Sequence, residues 1–184
     1  MQATGSFESL MIVLGMRDIY TRLHSERVAM LSRHLGIGYG LAGEELEILT
    51  TAARFHDIGK IGIPDYILLK PGNLSVEEWQ LMKTHAELGG QIFAATGHPH
   101  AEVIATAIYH HHELFDGSGY PSGLKGTDIP LFSRILQVAD NYDALGELRP
   151  YRPAKRHREI MNILKKRQGI KHDPDVFQVF NDVI

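Results

Sequence analysis

The chain has 184 residues, enough to bury one sizeable core and too few for two ordinary domains. Apolar residues make up 43% and charged residues 22%, a globular composition, and a net charge of −3 gives no basic field for gripping long nucleic acid. The absence of cysteine excludes disulfides and thiolate metal sites and fits a cytoplasmic protein, and with no membrane-length apolar run and no leader pattern, membrane insertion is not expected.

In chain order, Phe7, Leu10, Met11, Leu14 and Ile19 recur at helical spacing and predict a helix from about Ser6 to Leu23. Val28, Leu31 and Leu35 continue with a second stripe that stops at Gly36, Gly38 and Gly40. Residues 43–56 repeat the pattern up to His56-Asp57. Ser75 with Glu78 three positions later reads as a capping box, opening a helix to about Ala95. Another helix is expected from Ala101 to His110, followed by an irregular Gly- and Pro-rich stretch from Asp116 to Pro130. Residues 132–146 form an apolar helix, and Asp173-Pro174 caps the last one. No alternating strand pattern competes. The expectation is an all-α bundle of about seven helices, one domain over residues 1–184. Its segment 1–22 is an N-terminal helix that serves as a linker or a dimer contact.

The 11 histidines are bunched. His24, His56, Asp57, His85, His110, His111, His112 and Asp140 fall at the ends or inner faces of different helices, which is how helical bundles build metal sites. Imidazole and carboxylate donors without sulfur suit Fe, Mn or Zn, and so large a set exceeds what one tetrahedral ion requires. Any one buried histidine is more often a hydrogen-bonded core residue than a ligand. As a set the balance reverses, because burying several imidazoles and carboxylates unpaired costs kcal/mol each. Asp140 lies within the otherwise apolar RILQVADNYDAL and wants a cation. Successive helical residues are turned by about 100°, so one or two of His110, His111 and His112 are expected to be ligands. His34, His98, His100, His157 and His172 are read as surface or loop histidines.

The segments HDIGKIGIP from His56, KPGNLSVEEW, HHHELFDGSGYP from His110, GLKGTDIP, RILQVADNYDAL and RPYRPA together resemble the HD-GYP family of cyclic dinucleotide phosphodiesterases, within the HD hydrolase superfamily. The match runs in order from His24 to Asp175. The resemblance implies a metal set of His56, Asp57 (bridging), His85, His111, His112 and Asp140, with Lys60 on the scissile phosphate. His24 matches an additional ligand of members with a third metal, but the glutamate those members carry one turn earlier is here Tyr20, so two metals are expected. Fe or Mn is the expected pair, with Zn, Ni and Mg as alternatives. In Gly119-Tyr120-Pro121 the glycines Gly117 and Gly119 read as positive-φ turn positions, and the family implies that Tyr120 meets a base or phosphate. Arg149 and Arg152 resemble its phosphate-binding cations, whose planar fork suits phosphate oxygens.

The implied activity is hydrolysis of cyclic di-GMP or 3′,3′-cyclic GMP-AMP to the linear dinucleotide, by a hydroxide bridging two metals. Two other readings compete: a generic HD phosphohydrolase of nucleotides, and a non-catalytic module that binds the cyclic dinucleotide. Gly146-Glu147-Leu148 departs from the Thr/Ser-containing run of the family. A homodimer, or a fused or partner sensory domain, would complete the regulatory picture.

Overall fold

The computed structural model describes residues 4–147 and 154–184. Its helices are α1 (Thr4–Arg17), α2 (Ile19–Gly38), α3 (Gly43–Phe55), α4 (Asp65–Leu68), α5 (Val76–Lys83), α6 (His85–Ala94), α7 (Ala101–Tyr109), α8 (Leu131–Gly146), α9 (His157–Lys166) and α10 (Pro174–Val183). A 3₁₀ turn, Ile58–Gly62, follows α3, and a shorter one, Gly126–Asp128, interrupts the irregular stretch. The described residues contain no strand, only an isolated bridge between Gln168 and His172.

The architecture is all-α, and the differences from the sequence expectation lie in the breaks. The first stripe divides at Asp18, whose extended backbone and side chain, accepting from the Tyr20 N–H at 3.0 Å, cap a new helix. α2 then runs past Gly36 to Gly38, and Gly40, with φ at +96°, follows two residues beyond its end. The Ser75 capping box is present, yet its helix stops at Lys83, and a separate helix, α6, begins at His85 after Thr84. Helix α9 was not among the expected helices, although Ile160, Met161, Ile163 and Leu164 pack in or against the first core. It buries only Ile160 and Leu164.

Helix α3 sits at the centre. Leu46 and Leu49 join Leu35, Ile135, Leu164 and Phe180 in one core, while Ile48, Ala52 and Phe55 join Met11, Phe93, Ile104 and Ile108 in a second. Ala53 packs with Val28, Leu136 and Ala139 in a third. Each fully buried large side chain of this kind contributes roughly 1.5–3 kcal/mol, so α3 is fixed from every side and its C-terminal end is held accurately. No described helix is long and apolar enough to cross a membrane.

Candidate metal centre

Three helices deliver histidines by the same local device. The last carbonyls of a helix have no partner within it. His56 follows α3, His85 follows α5, and His111 follows α7. In each, ring Nδ1 meets the carbonyl oxygen three residues back: Ala53 at 2.7 Å, Met82 at 2.7 Å and Ile108 at 2.5 Å. A carbonyl only accepts, so Nδ1 carries the proton and Nε2 presents its lone pair. Fixing the tautomer through the outer nitrogen is how ligating histidines are oriented. The helix C-termini also add partial negative charge, which favours a cation in front of them.

These Nε2 atoms converge. His112 Nε2 lies 3.1 Å from His85 Nε2, and the His111 ring stands 5.2 Å from that of His56 and 5.4 Å from that of His85. His111 Nε2 is buried without a hydrogen-bond partner. Asp57 reaches His85 Nε2 at 3.5 Å and His56 Nε2 at 3.4 Å, and Lys60 Nζ donates to its Oδ2 at 2.7 Å. Asp140 accepts from His24 Nε2 at 2.9 Å and lies 3.9 Å from His56 Nε2. Ligand atoms of His85, His111 and His112 form one group close enough to share an ion, and those of His24, His56 and Asp57 form another.

Except at His24, where burial is outweighed by the bonds to Asp140 and Asp143 and the imidazole is raised to about 9, the protonation states suit metal donors. Burial, with His112 and His56 nearby, holds the His111 imidazole well below its usual value, and burial pushes His112 down to about 3. Burial alone would raise the Asp57 carboxyl, but Lys60 and His56 outweigh it and keep it well below the carboxylate range. Neutral imidazoles beside ionised carboxylates are the form that binds metal. The orphaned His111 Nε2 and the facing nitrogens of His85 and His112 therefore fit a divalent cation.

His110 turns away, with Nδ1 3.4 Å from Glu113 Oε1 and its ring against Tyr109. His172, read as a surface or loop histidine, lies in the loop before α10 and is fully buried, bonded to Gln137. Sequence reasoning also missed Asp143 and Arg27. Asp143 takes His24 Nδ1 at 2.7 Å, and Arg27 forks it at 2.8 and 2.9 Å while reaching Glu147 at 2.7 Å. Asp143 lies three residues after Asp140, on the same helical face, and that spacing was the available signal. His24, Asp143 and Glu147 make a third group of ligand-type atoms, already bonded by Arg27. Tyr20 is 70% exposed.

The Gly-Tyr-Pro turn is built on the histidine segment. A Cβ on Gly119 would come within 2.3 Å of Leu114 N and 2.6 Å of the His112 carbonyl oxygen, so Gly119 is required by close approach; only Gly117 has positive φ, at +86°. Glu113, buried and unremarked in the sequence, accepts from the N–H groups of Ser122 (2.7 Å) and Leu124 (3.1 Å). Tyr120 is thereby stacked against His112, ring centres 4.9 Å apart. Burial, then the Asp57 and Asp140 charges, raises its phenol above the usual range, which keeps the hydroxyl a donor. Arg149, Arg152 and Leu148 lie outside the described residues.

The HD domain family profile matches residues 12–176. A cyclic di-GMP phosphodiesterase of Thermotoga maritima is 40% identical over 173 residues, 94% of this chain and 47% of the relative. The 3′3′-cGAMP-specific phosphodiesterase 2 of Vibrio cholerae is 38% identical over 163 residues, 89% of this chain and 31% of that protein. Among solved structures, Bd1817, an HDG"Y"P protein from Bdellovibrio bacteriovorus, superposes with a TM-score of 0.71 at 25% identity, covering 88% of this chain and 51% of that one. The chain thus spans about half or less of the length of these relatives. With the profile over most of its length and the His-Asp pair, histidine cluster and GYP turn assembled around one centre, the chain belongs to the HD domain family as an HD-GYP member.

Proposed function

We propose that this chain hydrolyses a phosphodiester bond of a cyclic dinucleotide, cyclic di-GMP or 3′,3′-cyclic GMP-AMP, releasing the linear dinucleotide. The observation that carries the reading is the convergence of His56, Asp57, His85, His111, His112 and Asp140 on one centre, with the GYP tyrosine stacked on His112. The activities named for the relatives support the substrate class.

Those six residues would hold two divalent ions, Fe or Mn, with Zn, Ni or Mg as substitutes and His24 as a further donor beside Asp140. Bound ions would polarise the phosphoryl oxygens and lower the pKa of water to give a nucleophile near neutral pH. The chain's own groups do the rest. Lys60, bonded to Asp57 and partly exposed, presents an ammonium beside the reacting phosphate and offsets the charge that develops there. Tyr120, kept protonated, offers a hydrogen bond to a phosphate oxygen or to the departing ribose oxygen. Arg149 and Arg152, which follow α8 in sequence, are the cations proposed to meet the substrate's phosphates. Asp143, clamped by Arg27, fixes the His24 ring so that its Nε2 faces Asp140.

The test is direct: chain loaded with Mn or Fe is incubated with each cyclic dinucleotide, and the products are separated by chromatography. Linear dinucleotide is expected, and it disappears in Asp57→Ala. Absence of linear product at every metal loading overturns the reading.

A further inference from the structure

We propose that Trp79, together with Lys83, is the platform on which a purine base of the substrate stacks. The inference rests on the phosphodiesterase reading above and adds the base-binding surface that reading lacks.

Base recognition falls naturally to Tyr120 in the sequence, but the ring of Tyr120 is occupied. His112 lies against it at 4.9 Å with a 36° tilt, Lys83 Nζ stands over it at 5.5 Å, and Trp79 meets it at 84° with ring centres 6.3 Å apart. What Tyr120 has left to offer is its hydroxyl. Trp79 differs: it is 45% exposed on α5, a helix that buries none of its residues fully. A half-exposed indole is a large apolar surface left in water, next to a ring that itself touches a candidate metal ligand. The series His85, His112, Tyr120, Trp79 runs from the metal centre to solvent in steps of 5.0, 4.9 and 6.3 Å. This puts the indole two ring-to-ring steps from His112, within the reach of one nucleoside whose phosphate sits at the centre.

Lys83 falls four residues after Trp79 and shares its helical face. Among the described residues it has no carboxylate within ion-pair distance, so its ammonium remains available to an anionic ligand as well as to the Tyr120 ring. An indole face beside a cation is the usual equipment for holding a nucleotide, and stacking of this kind is tolerant of base identity because every base has a π-face. Trp79 is thus expected to serve guanine and adenine alike, leaving discrimination between the two cyclic dinucleotides to other contacts.

Trp79 is the only tryptophan in the chain, so its emission reports on this surface alone. Chelated protein would be titrated with cyclic di-GMP, with fluorescence and equilibrium dialysis read in parallel, and KM and kcat would be measured on the Mn-loaded enzyme. The expected result is saturable quenching, with Trp79→Ala weakening binding and raising KM about tenfold, as loss of an aromatic platform does. Trp79→Phe should lose only a few-fold. In both variants kcat holds, the thermal transition stays within a few degrees of the parent because the side chain is half-exposed, and the loss is equal for cyclic GMP-AMP. A fall in kcat at unchanged KM would mean that Trp79 merely props Tyr120, and would overturn the proposal. So would dialysis-detected binding without quenching, or an unchanged KM in Trp79→Ala; either leaves the phosphodiesterase reading standing. Neither binding nor hydrolysis of any cyclic dinucleotide by the parent chain removes both.

Discussion

Gly59 and Gly62 occupy the same 3₁₀ turn, three residues apart, and their alanine variants should behave oppositely. A Cβ on Gly59 would stand 1.9 Å from the His85 carbonyl oxygen and 2.5 Å from Gly89 N, both backbone atoms of α6. Ordinary contact begins at 3.4 Å, so α6 must retreat by about 1.5 Å. Retreat loosens Phe93 and Ala86 from the core and draws His85, now 3.5 Å from Asp57, out of ligand geometry. Overpacking typically costs about 1–3 kcal/mol. A rigid backbone clash belongs at or above the top of that range, and about 3 kcal/mol lowers Tm by roughly 6–12 °C in a chain of this size. On Gly62 the new Cβ meets only Leu88 Cδ1, at 2.8 Å, the free end of a side chain that can swing aside. Gly62→Ala should therefore stay within about 1 kcal/mol of the parent, because relief of unfolded-chain entropy offsets the crowding. Thermal unfolding by circular dichroism measures the first effect, and chelator competition for Mn measures the second, with Gly59→Ala alone losing affinity at least about tenfold. If the two variants melt together and bind Mn equally, the close approach of α6 to this turn is not what places His85.

Two further outcomes follow from buried histidines. Replacing His111 with leucine removes an orphaned Nε2 along with the Nδ1 bond to Ile108, terms of comparable size at about 1–3 and 0.5–1.5 kcal/mol. Metal-free His111→Leu should therefore melt near or above the metal-free parent, while the Mn-induced rise in Tm shrinks by at least about 3 °C; an undiminished rise would show that His111 is not a ligand. Burial, followed by the charges of Arg167 and Lys171, lowers the His172 pKa to about 4, so the fold favours its neutral form. The unfolded chain then binds the extra proton between pH 6.5 and about 4, and the stabilisation is complete above pH 6.5 and lost as pH falls through that window. Comparison of pH-dependent Tm for the parent and His172→Gln should isolate a contribution on the order of 3 kcal/mol, and parallel curves would contradict the assignment.

Much of the site was legible before any coordinates. The apolar spacing of residues 43–55 and 131–146 made α3 and α8, and the clustered histidines with Asp57 and Asp140 named the donors, because helix periodicity and donor chemistry are local properties of the chain. The choice of His111 and His112 over His110 was open on periodicity alone, since three adjacent residues point three ways and only the packing of α7 decides which way is inward. Glu113 and Arg27 were not legible either, and Asp143 was signalled only by its spacing from Asp140. Their roles depend on partners 9 to 120 positions away, and nothing in a solvated-looking charge discloses such a partner.

The sequence by itself determined the helical class, the metal-ligand chemistry and the turn at Gly119-Tyr120-Pro121. Tertiary structure alone decided that the Nε2 atoms left free by the local Nδ1 bonds converge on one centre, because that depends on where helices α3, α5 and α7 end relative to one another. It also decided that the ring of Tyr120 is spent on His112 and Lys83 while Trp79 keeps half its surface in water, an allocation set by how α5 lies over the turn.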